Sequence, residues 1–331
     1  MPRSRFGKRA QTDPIVYDDG CATRWPLLLV HGVGYKQAER FGYWGDIPQL
    51  LRAHGAVVYV SDNDAWGTTT SNAAQLETIV QRILVEQQVP CVNIIAHSKG
   101  GLDARELVAR PAMRGKIASI TTLSTPHHGV RSLNWINYAP RLARRILATL
   151  SDLTLILWGD DNPSFIQVCQ DLSAPAMQQF NQRLPLPADI YFQSFTSIQG
   201  HWYEDLFFGL TQPLINWVEG PNDGLVAEAS AHFGEYRGVV SSNGDRGYSH
   251  RTIVDNHLLV GGLQLLADHS QRQTIAVSPT GDRQTLASKE NTAEAERRGR
   301  SAERAAALAD QSMSLATWWL TLVADLKQRG Y

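Results

Sequence analysis

Five short apolar runs, residues 26–30, 56–60, 92–96, 117–123 and 189–195, punctuate the first two thirds of the chain, each bounded by glycine, proline or polar turn residues. Runs of this length read as buried strands. Between them, residues 44–54, 72–87 and 100–108 carry apolar side chains at helical spacing. Strands alternating with helices predict an α/β fold, a mostly parallel central sheet covered by helices on both faces. The rhythm breaks over 135–158, where a basic helical stretch, 139–147, precedes the almost wholly apolar 150–158. Turn chemistry at 160–163 ends that stretch, and 174–183 resumes as an amphipathic helix, so 131–170 reads as an insertion within a main domain of residues 1–270. Beyond it, 271–288 reads as a polar linker and 289–331 as a helical extension, with an Ala-, Glu- and Arg-rich helix over 289–328. Its last turns carry Trp318, Trp319, Leu320, Leu322 and Val323. That face must bury against the parent domain or, by self-association, against a second copy of the chain; docking on a membrane is the weaker alternative.

Composition narrows the function classes. The 331 residues, 43% of them hydrophobic, suffice for one large core. A formal net charge of −1 lacks the basic excess that neutralises nucleic-acid phosphates, so no nucleic-acid partner is expected. Cys21, Cys91 and Cys169 lack the close spacing of zinc or redox sites and read as free thiols. No metal and no cofactor is called for. The N-terminal residues are basic without the apolar stretch of a secretory signal, and no run reaches the roughly 20 residues that span a bilayer, so the expected location is cytoplasmic.

The string Val92-Asn-Ile-Ile-Ala-His-Ser-Lys-Gly-Gly101 sets Ser98 directly after a predicted strand and directly before a predicted helix. That is the context of a nucleophile elbow. Small residues two positions either side, Ala96 and Gly100, are required because the turn brings strand and helix backbones together. The helix that follows aims its N-terminus at developing negative charge. Upstream, Leu27-Leu-Leu-Val-His-Gly-Val-Gly34 is a strand running into a glycine-bearing loop. The backbone N–H groups of Val33 and Lys99 are the candidate oxyanion-hole donors.

A serine hydroxyl needs a histidine to take its proton and a carboxylate to fix that histidine's tautomer, in the chain order serine, acid, histidine. Downstream of Ser98, Asp223 lies in the tight turn Pro-Asn-Asp-Gly-Leu-Val and His257 in Asp-Asn-His-Leu-Leu. His250 competes with His257, since it falls in the same interval. Asp205 and Asp171 compete with Asp223, whereas Asp245 sits in a glycine-bearing turn that looks structural. His31 and His97 flank the site and read as shaping its loops, and His127 and His128 follow a strand end.

The strings LLLVHGVG, GAVVYVSDNDAWG, VNIIAHSKGGLDAR, ITTLSTPHHG, PNDGLV and DNHL, in that order from about residue 25 to about 266, resemble the bacterial triacylglycerol lipases of the Pseudomonas and Burkholderia type within the α/β-hydrolase superfamily. The resemblance implies an α/β-hydrolase fold with a helical lid or cap after Gly129. It implies Ser98 as nucleophile, Asp223 as acid, His257 as base, and the Val33 and Lys99 amides as oxyanion hole. The implied activity is cleavage of carboxylic esters, acylglycerols above all, through an acyl-enzyme, with contact to lipid aggregates through the lid. An acyltransferase, a polyester or thioester hydrolase, or a non-catalytic scaffold on the same fold are the alternatives. Those lipases also carry a calcium held in part by an aspartate two residues beyond the catalytic histidine; beyond His257 that position is Leu259.

Overall fold

Branched aliphatic side chains on both faces of the central strands put the sheet in the middle of the molecule. The computed structural model describes residues 19–34, 42–134, 165–205, 208–209, 211–240, 247–256 and 315–331. The strands are β1 (Leu27–Val30), β2 (Val58–Val60), β3 (Val92–His97), β4 (Ile117–Leu123), β5 (Tyr191–Ser197) and β6 (Glu235–Val240). They lie in the order β2-β1-β3-β4-β5-β6, and every neighbouring pair is parallel. All four residues of β1 and all six of β3 are buried, yet the pleat sorts them. Leu27, Leu29 and Ile95 face one core; Leu28, Val30, Ile94 and Ala96 face the other.

The second core is closed by α2 (Thr69–Gln87) and α3 (Gly100–Val108), through Leu76, Val80, Ile83, Ala104 and Leu107. The first is closed by α1 (Ile47–Ala53) and by a C-terminal helix over 315–328. Further helices are α4 (Phe165–Asp171), α5 (Ala174–Arg183), α6 (Gln212–Glu219) and α7 (Glu228–Ala231), so the C-terminal helix is α8. The α/β expectation holds, and α3, α5 and β4 fall where the periodicity puts them. The unforeseen strand is β6. Its sequence, Glu-Tyr-Arg-Gly-Val-Val, carries charges and a glycine because it lies at the sheet edge with one side toward solvent.

The apolar face of α8 is buried on the parent domain. Trp319, Val323 and Leu326 are fully covered, and the Trp319 indole N–H donates to the Ile253 carbonyl at 3.1 Å. Its ring stands edge-on to Trp44 with centroids 6.0 Å apart. The chain end is tied as well, the Arg24 N–H donating to the Tyr331 carbonyl at 2.7 Å. Replacing Trp319 with phenylalanine keeps the ring but strands the Ile253 carbonyl. The expected loss is about 1–3 kcal/mol of unfolding free energy in urea titration; an unchanged midpoint would make that bond irrelevant to stability. Most of the insertion predicted over 131–170, namely 135–164, the linker 271–288 and the first part of the C-terminal helix, 289–314, lie outside the described residues.

Candidate active site

Ser98 lies in the two-residue gap between the end of β3 at His97 and the start of α3 at Gly100, with φ at +56°. A left-handed backbone at a non-glycine residue costs about 1–3 kcal/mol and persists only where the surroundings hold it. Here the Ser98 N–H donates to the Leu123 carbonyl at 2.9 Å and Thr125 Oγ1 donates to the Ser98 carbonyl at 2.8 Å. A Cβ on Gly100 would stand 2.4 Å from the His31 carbonyl oxygen, and one on Gly32 would stand 2.6 Å from Ser98 Cβ. The two glycines therefore let the loop after β1 close directly over the elbow. Among the described residues, neither the Val33 nor the Lys99 backbone N–H has an internal acceptor.

Asp223 and His250 meet Ser98 from the loops before and after β6. His250 Nε2 lies 2.8 Å from Ser98 Oγ, and His250 Nδ1 lies 2.8 Å from Asp223 Oδ2. All three are buried: Ser98 is 4%, His250 4% and Asp223 0% exposed. A carboxylate only accepts, so Nδ1 carries the proton and Nε2 turns its lone pair to the serine hydroxyl. The other carboxylate oxygen accepts the N–H groups of Leu225 at 3.0 Å and Val226 at 2.8 Å, and the His250 N–H donates to the Asp223 carbonyl at 2.7 Å. The arrangement can pass a proton from hydroxyl to imidazole while the carboxylate steadies the charged ring.

The sequence reading put His257 in this place. The ring that bridges Asp223 and Ser98 is instead His250, its former competitor, and His257 lies outside the described residues. With Asp223 Oδ2 and Ser98 Oγ both engaged by one imidazole, the geometry requires no second histidine. Of the rival carboxylates, Asp171 accepts from Gln167 at the end of α4, and Asp205 pairs with Arg251.

Three further buried histidines, His31, His97 and His127, wall the site. Burial, with the charge of nearby His250 second, holds His97 well below the usual imidazole range. Tyr43 Oη accepts the Gly32 N–H at 2.9 Å and lies 2.6 Å from His97 Nδ1, which braces the loop that carries Val33. Burial also lowers His31, whose ring nitrogens face the carbonyls of Gly32 and Asn63, and His127, which packs against Phe233.

Lys99 carries a second feature that sequence reasoning missed, having used only its amide. Its side chain is 2% exposed and its ammonium pairs with Asp103 at 2.7 Å, beneath the first turn of α3. Asp103 also accepts from Asn72 Nδ2 of α2 at 2.8 Å. Burial pushes the Asp103 carboxyl above its usual range, and Lys99 and Asn72 pull it back only in part. The spacing of four from Lys99 to Asp103 on a helix was the available signal.

Among the described residues, the calcium that such lipases carry finds no matching ligands. Two residues beyond His250 stands Thr252, whose Oγ1 accepts the Ser249 N–H at 2.8 Å. The nearby carboxylate, Asp205, already faces a guanidinium. Among the described residues no group of three His, Cys, Asp or Glu side chains could hold a metal.

The chain is similar in sequence to known lipases. The family model described as palmitoyl protein thioesterase matches residues 26–188. Triacylglycerol lipase 2 of Saccharomyces cerevisiae is 30% identical over 214 residues, which cover 62% of this chain and 61% of that protein. A triacylglycerol lipase of Burkholderia plantarii is 36% identical over 121 residues, 35% of this chain and 33% of its own. One of Vibrio cholerae is 27% identical over 244 residues, 64% of this chain and 75% of its own. The matches thus span about three fifths of the yeast relative and a third of the Burkholderia one. In fold, the chain is similar to a lipase of Bacillus licheniformis in its mature form, with a TM-score of 0.53 at 20% identity, covering 77% of this chain and 95% of that one.

Proposed function

We propose that this chain is an α/β-hydrolase of the lipase kind that cleaves carboxylic esters, acylglycerols foremost, through an acyl-enzyme on Ser98, as its similarity to triacylglycerol lipases supports. The observation that carries the reading is the chain of two 2.8 Å contacts from Ser98 through His250 to Asp223. His250 Nε2 takes the hydroxyl proton as Ser98 Oγ bonds to the ester carbonyl carbon. Asp223 stabilises the imidazolium. The Val33 and Lys99 amides receive the oxyanion, which collapses as His250 protonates the departing alcohol. A water then loses its proton to His250, attacks the acyl carbon and frees the acid and Ser98.

The test is labelling with a fluorophosphonate. The expected result is one adduct per chain, located on Ser98 by peptide mass, with loss of p-nitrophenyl ester hydrolysis in step; Ser98→Ala takes no label. An adduct elsewhere, or hydrolysis that survives full labelling of Ser98, overturns the reading.

A second reading, cleavage of fatty acyl thioesters, has one observation in its favour, the thioesterase family model over 26–188. That match holds the elbow but ends before Asp223 and His250. Parallel turnover of an acylglycerol and an acyl thioester of equal chain length separates the two.

A further inference from the structure

We propose that Asp205 is a positioning residue for His250, fastening the loop that carries the imidazole by an internal ion pair. The inference rests on the reading of His250 as the base. Asp205 has a fully buried carboxylate just past the short helix Trp202–Glu204. Its Oδ2 accepts Ser249 Oγ at 2.7 Å and Arg251 Nε at 3.3 Å; its Oδ1 accepts Arg251 Nη2 at 3.2 Å and the Phe208 N–H at 3.4 Å. Ser249 and Arg251 are the two chain neighbours of His250, and Phe208 stands edge-on to the His250 ring with centroids 5.7 Å apart. One carboxylate thus holds the residue before the base, the residue after it and the aromatic against its face.

Asp223 and Asp205 divide the work. Asp223 takes the polar atoms of His250 itself, Nδ1 and the backbone N–H, and Asp205 takes the side chains of the residues on either side of it. The Arg251 side chain is 15% exposed, so removing Asp205 would leave a largely buried guanidinium without its counter-charge and drive that segment outward. A shift near 1 Å at a reacting group costs about a hundredfold in rate. A guanidinium is covalently part of the loop, so the fastening needs no divalent cation.

In the full-length protein, Asp205→Asn and Arg251→Met are each expected to lower kcat about 10–100-fold with KM within a factor of about two, well below the unfolding temperature. The double variant falls no further than the weaker single, because both break one contact. Added calcium or EDTA changes nothing in wild type. Overturning results are an unchanged kcat, a loss carried by KM, multiplying losses in the double variant, or inactivation of wild type by EDTA. If Asp205→Asn does not fold, Ser249→Ala decides: it removes one hydroxyl from the clamp, and a kcat loss of several fold at constant KM is expected, with an unchanged kcat counting against the proposal. Failure of the base assignment is read separately, as turnover surviving in His250→Ala.

Discussion

Replacing His250 with alanine is expected to lower kcat for ester hydrolysis by about 10⁶-fold, because a serine hydroxyl without a proton acceptor is hardly a nucleophile at neutral pH. The rest of the site survives the change. Asp223 keeps the N–H groups of Leu225 and Val226, and Ser98 keeps its bonds to Leu123 and Thr125. Residual turnover above the uncatalysed rate then reports the oxyanion donors and substrate binding alone. Kinetics with a p-nitrophenyl ester, alongside circular dichroism to confirm folding, measure it. His257→Ala is the companion variant, expected to leave turnover essentially unchanged. Were the two outcomes reversed, the base would be His257, and the 2.8 Å contact of His250 with Ser98 would have no catalytic meaning.

The largest stability effect is expected at Asp103. Both side chains of this pair are buried, and taking two charges out of water costs about as much as their attraction returns, so the ion pair is a poor source of stability while intact. Breaking it is another matter. Asp103→Ala leaves an ammonium that is 2% exposed with no counter-charge, at a cost of about 3–5 kcal/mol in unfolding free energy. Removing both charges with groups of similar volume, Lys99→Met with Asp103→Leu, is expected to restore most of that loss. Urea denaturation of the wild type and the two variants gives the answer, and equal stabilities for the single and double variants would show that the pair carries no electrostatic role. The helix that Asp103 anchors begins two residues past Ser98, so the same variants expose any coupling between this pair and the elbow.

Where a feature depends on adjacent residues, it was legible. The elbow is a local steric problem: a buried strand, a serine, a helix, and small residues where backbones touch, all within Val92–Gly101. Gly100 shows why, since any Cβ there would strike the His31 carbonyl oxygen. The α/β rhythm was legible for the same reason, because buried parallel strands must be apolar on both faces. The edge strand β6 was not, since it is half solvated and its composition is that of a loop.

The sequence by itself pointed to the α/β architecture, to Ser98 in a strained turn between a strand and a helix, and to Asp223 in a tight turn downstream with Asp205 and Asp171 as rivals. Only the tertiary structure decided which histidine meets both, that Asp205 faces Arg251 and Ser249 while Asp223 faces the histidine, and that α8 buries its tryptophans on its own domain. His250 and His257 stand seven residues apart in one interval, and both satisfy the order rule. What separates them is where a loop returns over the sheet, which is set by contacts such as Asp205 with Arg251, 46 residues apart, and Trp319 with Ile253, 66 apart. Local pattern specifies local geometry; a catalytic contact between residues 152 positions apart is fixed by packing that no window of the chain contains.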